Sequence, residues 1–500
     1  MNSETELKFR VAARKLSSVL GSGGWLVRDR SERELVSTYY DTTKHKLKRH
    51  GLTLRIRKAG DRYMQTVKIT GAAVTRGEWE YEVVDNRPDL KKAKNTPLED
   101  LADGTLARKL RPVFRTNIHR TAQTRRVRRS QIEVAVDRGQ VGAGRHSRPI
   151  AEFELESKSG HLADLFRLAR NIERKTGAEL DLSSKAERGF QLVAGRSDSA
   201  QHAEPIQLER EFTPRDAFRV IGRSTVRQIT ANSDPVRNMD PEGVHQMRVG
   251  LRRLRAAISL FDDVLAHADT ARIKLGLKWL TSELAPAREI DVFLRESIRP
   301  VAQDAPSRGA RAIRKKFSKQ RMAAFKRAHN AIDSARYRHL LIDTVEWIES
   351  GRSRTTDDRS IAGYAGDVLD RRIRKARKQG KRLNDLDAKQ RHKLRINIKK
   401  IRYAVDFFRS LYEDADQATL ARVSDRLKRI QSALGSLNDF MAHRKLTTEA
   451  ALTAPPANRR AQAFASGLIV GRERQATHDY MKAATKALHG LHPLDVEPRR

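Results

Sequence analysis

The chain of 500 residues contains no cysteine. That excludes disulfides, thiolate nucleophiles and cysteine-ligated zinc together, and fits a reducing compartment. Aromatic residues are scarce, at 6%, which leaves few platforms for stacking bases. No run of about 18 apolar residues occurs, and the first residues carry no apolar signal core. A cytoplasmic protein that does not enter a membrane is expected. Acidic residues are in short supply: 62 against 101 Lys and Arg, a formal net charge of +39. Such a surplus repels itself unless anions are near. Partners of dense negative charge are expected, whether nucleic acid, a phosphate polymer or an anionic surface.

What the chain has instead is alternation. In Glu4-Thr5-Glu6-Leu7-Lys8-Phe9-Arg10-Val11 the charged residues fall on one side of a strand and Thr5, Leu7, Phe9 and Val11 on the other. An ordinary surface strand would share this pattern. Repetition argues against that reading. Leu52, Leu54 and Ile56 alternate with Arg55 and Arg57, Thr66 and Lys68 with Val67 and Ile69, and Glu78, Glu80 and Glu82 with Trp79, Tyr81 and Val83. Further on, Ile132, Val134 and Val136 alternate with Glu133 and Asp137, and Phe153 and Leu155 with Glu152, Glu154 and Glu156. Helical periodicity occurs between these runs, near 12–20, 98–110 and 161–175. The charged faces carry both signs in separate blocks. A small antiparallel barrel turns alternate residues into its lumen. There, bases would hold phosphate oxygens and carboxylates a hard divalent cation such as Mg²⁺.

The ordered set of motifs resembles the CYTH superfamily, the triphosphate tunnel metalloenzymes. It runs from Glu4-Thr5-Glu6-Leu7-Lys8 through Leu54-Arg55-Ile56-Arg57, Gln65-Thr66-Val67-Lys68 and Glu78-Trp79-Glu80. It continues through Ile132 to Asp137, Glu152 to Glu156, and Lys185-Ala186-Glu187-Arg188-Gly189. The resemblance covers about residues 1–195 and implies an eight-stranded antiparallel β-barrel tunnel that hydrolyses a triphosphate with Mg²⁺ or Mn²⁺. It implies metal-site carboxylates at Glu4, Glu6, Asp137, Glu152 and Glu154, and phosphate ligands at Lys8, Arg55, Arg57, Lys68, Arg120 and Lys185. Glu4, Glu6 and Lys8 are the expected catalytic centre. Glu78 and Glu80 compete for one position, as do Glu154 and Glu156.

Residues 196–211 lack apolar periodicity and read as a linker. Beyond them the pattern is helical and duplicated. Val244-His245-Gln246-Met247-Arg248-Val249-Gly250-Leu251-Arg252-Arg253-Leu254-Arg255 aligns with Arg391 to Arg402, His245 meeting His392 and Arg248 meeting Arg395. Each copy leads to a further helix expected to end in a charged turn, at Ala287 to Asp291 and at Leu437 to Asp439. Met247, Leu251, Leu254, Ile258 and Phe261 form an apolar stripe that belongs in a core. Beside it runs a basic stripe of His245, Arg248, Arg252 and Arg255, repeated as His392, Arg395, Lys399 and Arg402. Like charges at this spacing repel, so an anion is the natural partner. Arg311 to Arg327 reads as a further basic helix.

The duplicated helices resemble the CHAD domain. The resemblance implies two related four-helix bundles around a basic groove for inorganic polyphosphate, over about 212–490, with repeats at 212–350 and 360–490 separated near 350–360. The expected architecture is α+β: a β-tunnel, then an all-α domain. The expected function is metal-dependent triphosphate hydrolysis beside a polyphosphate-binding module. A non-catalytic polyphosphate scaffold and a nucleic-acid-binding helical half are the alternatives.

Overall fold

The structure is a computed structural model and describes residues 6–20, 30–69, 77–195, 198–265, 267–304, 307–350 and 359–492. Glu4 and most of the 350–360 separator lie outside the described residues. Close contacts group the chain into two compact units. The first is Met1–Glu204 with Val226–Pro235 and Asp333–Ser350, and the second is the remainder.

The first unit is built on one sheet. Its strands are β1 (Glu6–Arg10), β2 (Ser31–Asp41), β3 (Leu52–Ala59), β4 (Arg62–Ile69), β5 (Glu78–Val83), β6 (Arg111–Val127), β7 (Ser130–Ala143), β8 (His146–Ser159) and β9 (Glu179–Leu180). Their order is β5-β4-β3-β2-β6-β7-β8-β1-β9, antiparallel throughout. The sheet therefore has nine strands, not eight. The additional strand, β9, is two residues long, too short for alternation to reveal, and it pairs Leu180 with Phe9. The β3–β4 hairpin turns at Gly60, whose φ of +63° suits a residue without a Cβ.

Cross-strand partners in an antiparallel sheet share a face. Glu6 lies opposite Glu156, and Lys8 opposite Glu154. Glu152 lies opposite Asp137, Asp137 opposite Arg120, and Ser37 opposite both Thr116 and Arg57. Arg55 lies opposite Thr66, and Lys68 opposite Glu78. The alternating charges thus line a single face across eight strands.

Apolar residues line the other face, and short helices cover it. Five helices accompany the sheet: α1 (Ala13–Leu20), α2 (Lys46–Arg49), α3 (Leu106–Lys109), α4 (Leu162–Thr176) and α5 (Lys185–Val193). Leu47, Leu98 and Leu106 bury Leu52, Leu54, Ile56 and Val67, with Trp79 packed alongside. Helix α5 behaves differently. Its Ala186, Phe190 and Leu192 cluster with Leu35, Tyr39, Phe114 and Ile118, which lie on the charged face.

Among the described residues, twelve α-helices follow. They begin with α6 (Pro214–Thr230), α7 (Ser233–Arg237), α8 (Pro241–Leu260) and α9 (His267–Phe293). Next come α10 (Arg299–Asp304), α11 (Arg308–Asp333), α12 (Ala335–Ser350), α13 (Ile361–Gly380) and α14 (Ala388–Phe408). The series ends with α15 (Gln417–Leu452), α16 (Arg459–Gln475) and α17 (Thr477–His489). Asp240 caps α8 ahead of Pro241, and Asp387 with Gln390 forms a capping box on α14. The apolar stripe of α8 is fully buried, as are Leu394, Ile398, Ile401, Val405 and Phe408 on α14. The two charged turns are not turns. Residues 287–291 remain inside α9 and 437–439 inside α15. The buried Leu280, Leu284, Ala287 and Phe293 carry α9 past Pro286, and burial of Leu434 and His443 carries α15 onward. Among the described residues, no helix is long and apolar enough to cross a membrane.

Within the first unit, α4 meets α12 through ion pairs. Glu173, 1% exposed, accepts from Arg338 Nε at 2.7 Å and lies 2.7 Å from His339 Nε2. Removing one partner of a buried charge leaves it poorly solvated. Arg338→Ala should lower the stability of the full chain by about 2–3 kcal/mol, less than for a wholly orphaned carboxylate because His339 remains. Denaturant unfolding monitored by circular dichroism checks this.

Candidate functional site

The acidic end of the charged face is assembled from β6, β7, β8, β1 and α5. Asp137, Glu152 and Glu154 bring carboxylate oxygens within 4.8 Å of one another, and all three are buried or nearly so. Lys185 Nζ stands among them, 2.6 Å from Asp137 Oδ2 and 2.8 Å from Glu154 Oε1, and also paired with Glu152. Arg120 closes a fork on Asp137, with Nε and Nη2 each 2.7 Å from an oxygen, and reaches Glu154 too. Lys8 Nζ lies 3.1 Å from Glu154 and 3.7 Å from Glu6. Arg188 pairs with Glu152.

Lys185 is the first residue of α5, placed by a capping box between Ser184 and Glu187. A cation at a helix N-terminus opposes the helix dipole; the surrounding carboxylates outweigh that. Helix α5 lies close because Gly189 lacks a side chain: a Cβ there would come 2.1 Å from the Phe114 ring.

The charges set one another's protonation. Burial alone would raise the Glu152 carboxyl, but Lys185, Arg188 and Lys8 bring it down to about 2. Glu154 is likewise held well below the usual range by Lys185, Lys8 and Arg120 against the effect of burial. Burial works against the charge on Lys185 and Lys8, yet the carboxylates raise both. These groups are therefore ionised at neutral pH.

The other end is cationic and less well compensated. Arg55 donates to Thr66 Oγ1 at 3.2 Å and lies 3.4 Å from Glu78 and 3.5 Å from Glu80. Lys68 pairs with Glu78 at 2.5 Å, and Arg57 donates to Ser37 Oγ at 3.3 Å. Burial and repulsion from Arg55 and Arg120 bring Arg57 down to about 10. Burial and Arg55 also lower Lys68. Cations held below their ordinary pKa mark a place where added negative charge is favourable.

The face thus gathers Glu6, Lys8, Arg55, Arg57, Lys68, Arg120, Asp137, Glu152, Glu154 and Lys185. Glu6 is half-exposed, Glu156 pairs with Lys158, and Glu78 and Glu80 both face the cations instead of excluding one another. Sequence reasoning missed two participants. Arg188 follows Lys185 by three residues inside a motif already singled out. Tyr39 shares a face with Ser37 and Leu35 at the two-residue period of β2; burial would raise its phenol, but Arg55, Arg57 and Lys185 lower it.

In the second unit, α8 packs on α14. Burial, then Arg395 and Arg252, lowers the Lys399 ammonium to about 7, with Arg248 adding to the effect and Asp439 opposing it. Burial and Arg252 lower Arg248 to about 10. Burial and Arg288 lower His245 to about 4, so it is neutral at physiological pH. Arg248, Arg252, Arg395 and Lys399, two from each copy, therefore form one basic cluster. Arg255 is exposed beside Lys400, Arg402 donates to Gln431 Oε1 at 3.0 Å, and His392 Nδ1 lies 2.9 Å from Asn438 Oδ1. The duplication persists in packing. Arg253 of α8 stacks over Phe407 of α14 at 5.4 Å, and Lys400 of α14 donates to Ser259 of α8 at 2.9 Å.

Comparison with known proteins adds the family. An inorganic triphosphatase of Haemophilus influenzae is 33% identical over 164 residues, 32% of this chain and 46% of that protein. The chain thus spans about half the length of that relative. An uncharacterised Mycobacterium tuberculosis protein is 24% identical over 521 residues, covering 98% of this chain and 96% of its own. The crystal structure of the CHAD domain from the plant Ricinus communis matches 59% of this chain and 98% of its own length, with a TM-score of 0.51 and 28% identity. Residues 2–190 match the CYTH domain family and residues 221–448 the CHAD domain family. A CYTH domain over residues 2–190 is thus followed by a CHAD domain over residues 221–448.

Proposed function

We propose that the CYTH unit hydrolyses a triphosphate and that the CHAD unit binds inorganic polyphosphate on the α8/α14 basic cluster. The observation that carries the first half is the shared face. Buried carboxylates and under-compensated cations lie on it together, and Arg120, paired with Asp137 and Glu154, is close enough to Arg57 to lower its pKa. A triphosphate brings about four negative charges, and little covalent work is asked of the protein in phosphoryl transfer. Arg55, Arg57 and Lys68 would take the non-bridging oxygens and hold the chain in line. Arg120 on β6 stands between the cationic and acidic ends, and Lys8 on β1 flanks the acidic end from the other side.

Asp137, Glu152 and Glu154 suit a hard divalent cation: three oxygen donors within 4.8 Å, with Glu6 on the same face. A bound Mg²⁺ or Mn²⁺ would neutralise phosphate charge and acidify a water. With a cation held there, Lys185 would be free to donate to phosphate in place of the carboxylates it now pairs with. Phosphate release from a panel of inorganic, nucleoside and thiamine triphosphates, with and without Mg²⁺, tests this. Release that requires the metal supports the reading, and no release from any substrate overturns it.

Gly189→Ala offers a second test. The added methyl would collide with Phe114 and push α5 off the sheet, taking Lys185 and Arg188 with it. Turnover should fall roughly 10²-fold, as small misplacements of charged groups do. Steady-state rates on a folded variant check it, with folding judged from circular dichroism.

A further inference from the structure

We propose that a cleft walled by α9, α10 and α11, which shares no lining residue with the α8/α14 cluster, binds a compact anion bearing several phosphate groups. The cleft has a volume of about 460 Å³, within the size range of small-molecule sites. Asp291, Leu294, Arg295, Arg299 and Ala302 form one wall, and Arg314, Ser318 and Arg321 form the opposite one. Spacings of three or four residues put the side chains of each wall on one face. Beneath them Phe293, Ile298, Val301, Ile313 and Phe317 pack into a core, with the Phe293 and Phe317 rings edge to face at 4.9 Å. The walls are therefore held in place.

Two further features single out this cleft. The first is the backbone. Between α9 and α10 the chain makes a π turn at Leu294–Ile298, an arrangement that is rare and recurs at functional sites. It carries Arg295 and leads directly into Arg299. The second is charge. Four guanidiniums face the cleft and one carboxylate, Asp291, answers them. Asp291 is taken by Arg321 at 2.8 Å, and Arg295 pairs with Glu296 at 2.8 Å. Among the described residues, no carboxylate lies within ion-pair distance of Arg299 or Arg314. Arginine forks match phosphate oxygens in pairs, which lysines do not. The size suits a small polyphosphorylated molecule and not a length of polymer.

The test uses the full chain with inositol hexakisphosphate, ATP and long-chain polyphosphate as probes. Hydrogen exchange should show protection of residues 291–303 and 308–321 by one of the two compact probes. The double variant Arg299→Ala/Arg314→Ala should raise the Kd of that probe roughly tenfold for each arginine lost. Both side chains are exposed, so the fold should survive. Arg252→Ala/Lys399→Ala, which addresses the other cluster, should leave the protection intact. Three results would overturn the proposal: no protection by either compact probe, protection unchanged in the Arg299/Arg314 variant, or protection by long polyphosphate alone that disappears with Arg252 and Lys399. The last would make the cleft an extension of the α8/α14 groove. None of these outcomes bears on triphosphate turnover.

Discussion

Glu154→Gln is expected to lower the turnover of triphosphate by roughly 10²- to 10³-fold without weakening substrate binding. Glu154 touches Lys8, Lys185 and Arg120. The amide is isosteric but carries no charge, so three cations lose a shared counter-ion. An anionic substrate should then bind at least as well, because the local potential has become more positive. What disappears is a carboxylate able to hold a divalent cation, and the metal concentration for half-maximal rate should rise. The expected signature is a fall in kcat with KM unchanged or lower. Arg57→Ala should do the reverse and mainly raise KM, since Arg57 faces the cationic end and has no carboxylate partner comparable to that of Arg120. Near wild-type kcat in Glu154→Gln would sink the role given to the acidic cluster. Stability offers an independent check. A carboxyl with a depressed folded pKa stabilises above its unfolded value and loses that contribution as pH falls through the folded one. For Glu152 that window runs from the ordinary 4.5 down to about 2. Wild type should lose stability across it, and Glu154→Gln should lose less, having one coupled carboxylate fewer to protonate.

The faces of the sheet were legible because a strand has a period of two. Once Glu152, Glu154 and Lys8 alternate with Leu155 and Phe9, no register can separate the charges without exposing the core. The duplicated helices were legible for the same reason at a period near 3.6, since the apolar stripe fixes where the basic stripe must lie. What could not be read are encounters between segments distant in sequence. The motif makes Lys185 an expected phosphate ligand, but nothing local shows that it rests among Asp137, Glu152 and Glu154. Tyr39 carries no charge to mark it, and its ring packs with Leu35 and Phe114 while its hydroxyl meets Arg55. The two-residue β9 is below the length at which alternation carries information. Residues 287–291 looked like a turn because charges and Pro286 interrupt the pattern, yet buried residues on either side keep the helix going.

Polyphosphate binding by the CHAD unit should draw a proton onto Lys399 and weaken as pH rises. In the free protein, burial and then Arg395 and Arg252 hold this ammonium at about 7, with Arg248 contributing and Asp439 opposing. A phosphate chain laid across the cluster would supply negative charge to all four bases and raise that value. Below pH 7 the lysine is already charged, so affinity is at its plateau. Above it, each binding event must take up a proton, and affinity for long chains should fall about tenfold between pH 6 and pH 8. Titration calorimetry in buffers of different ionisation enthalpy would read the uptake directly, approaching one proton at pH 8. Lys399→Arg should flatten the profile, because a guanidinium stays charged across this range. Stability without ligand should move the opposite way. A lysine with a lowered folded pKa costs stability while the unfolded chain holds the extra proton, so stability should rise with pH between about 7 and 10.5. A cluster built only for packing would not place a cation where it is half discharged. Chain affinity independent of pH, or a Lys399→Arg variant with an unaltered profile, would remove Lys399 from the binding surface.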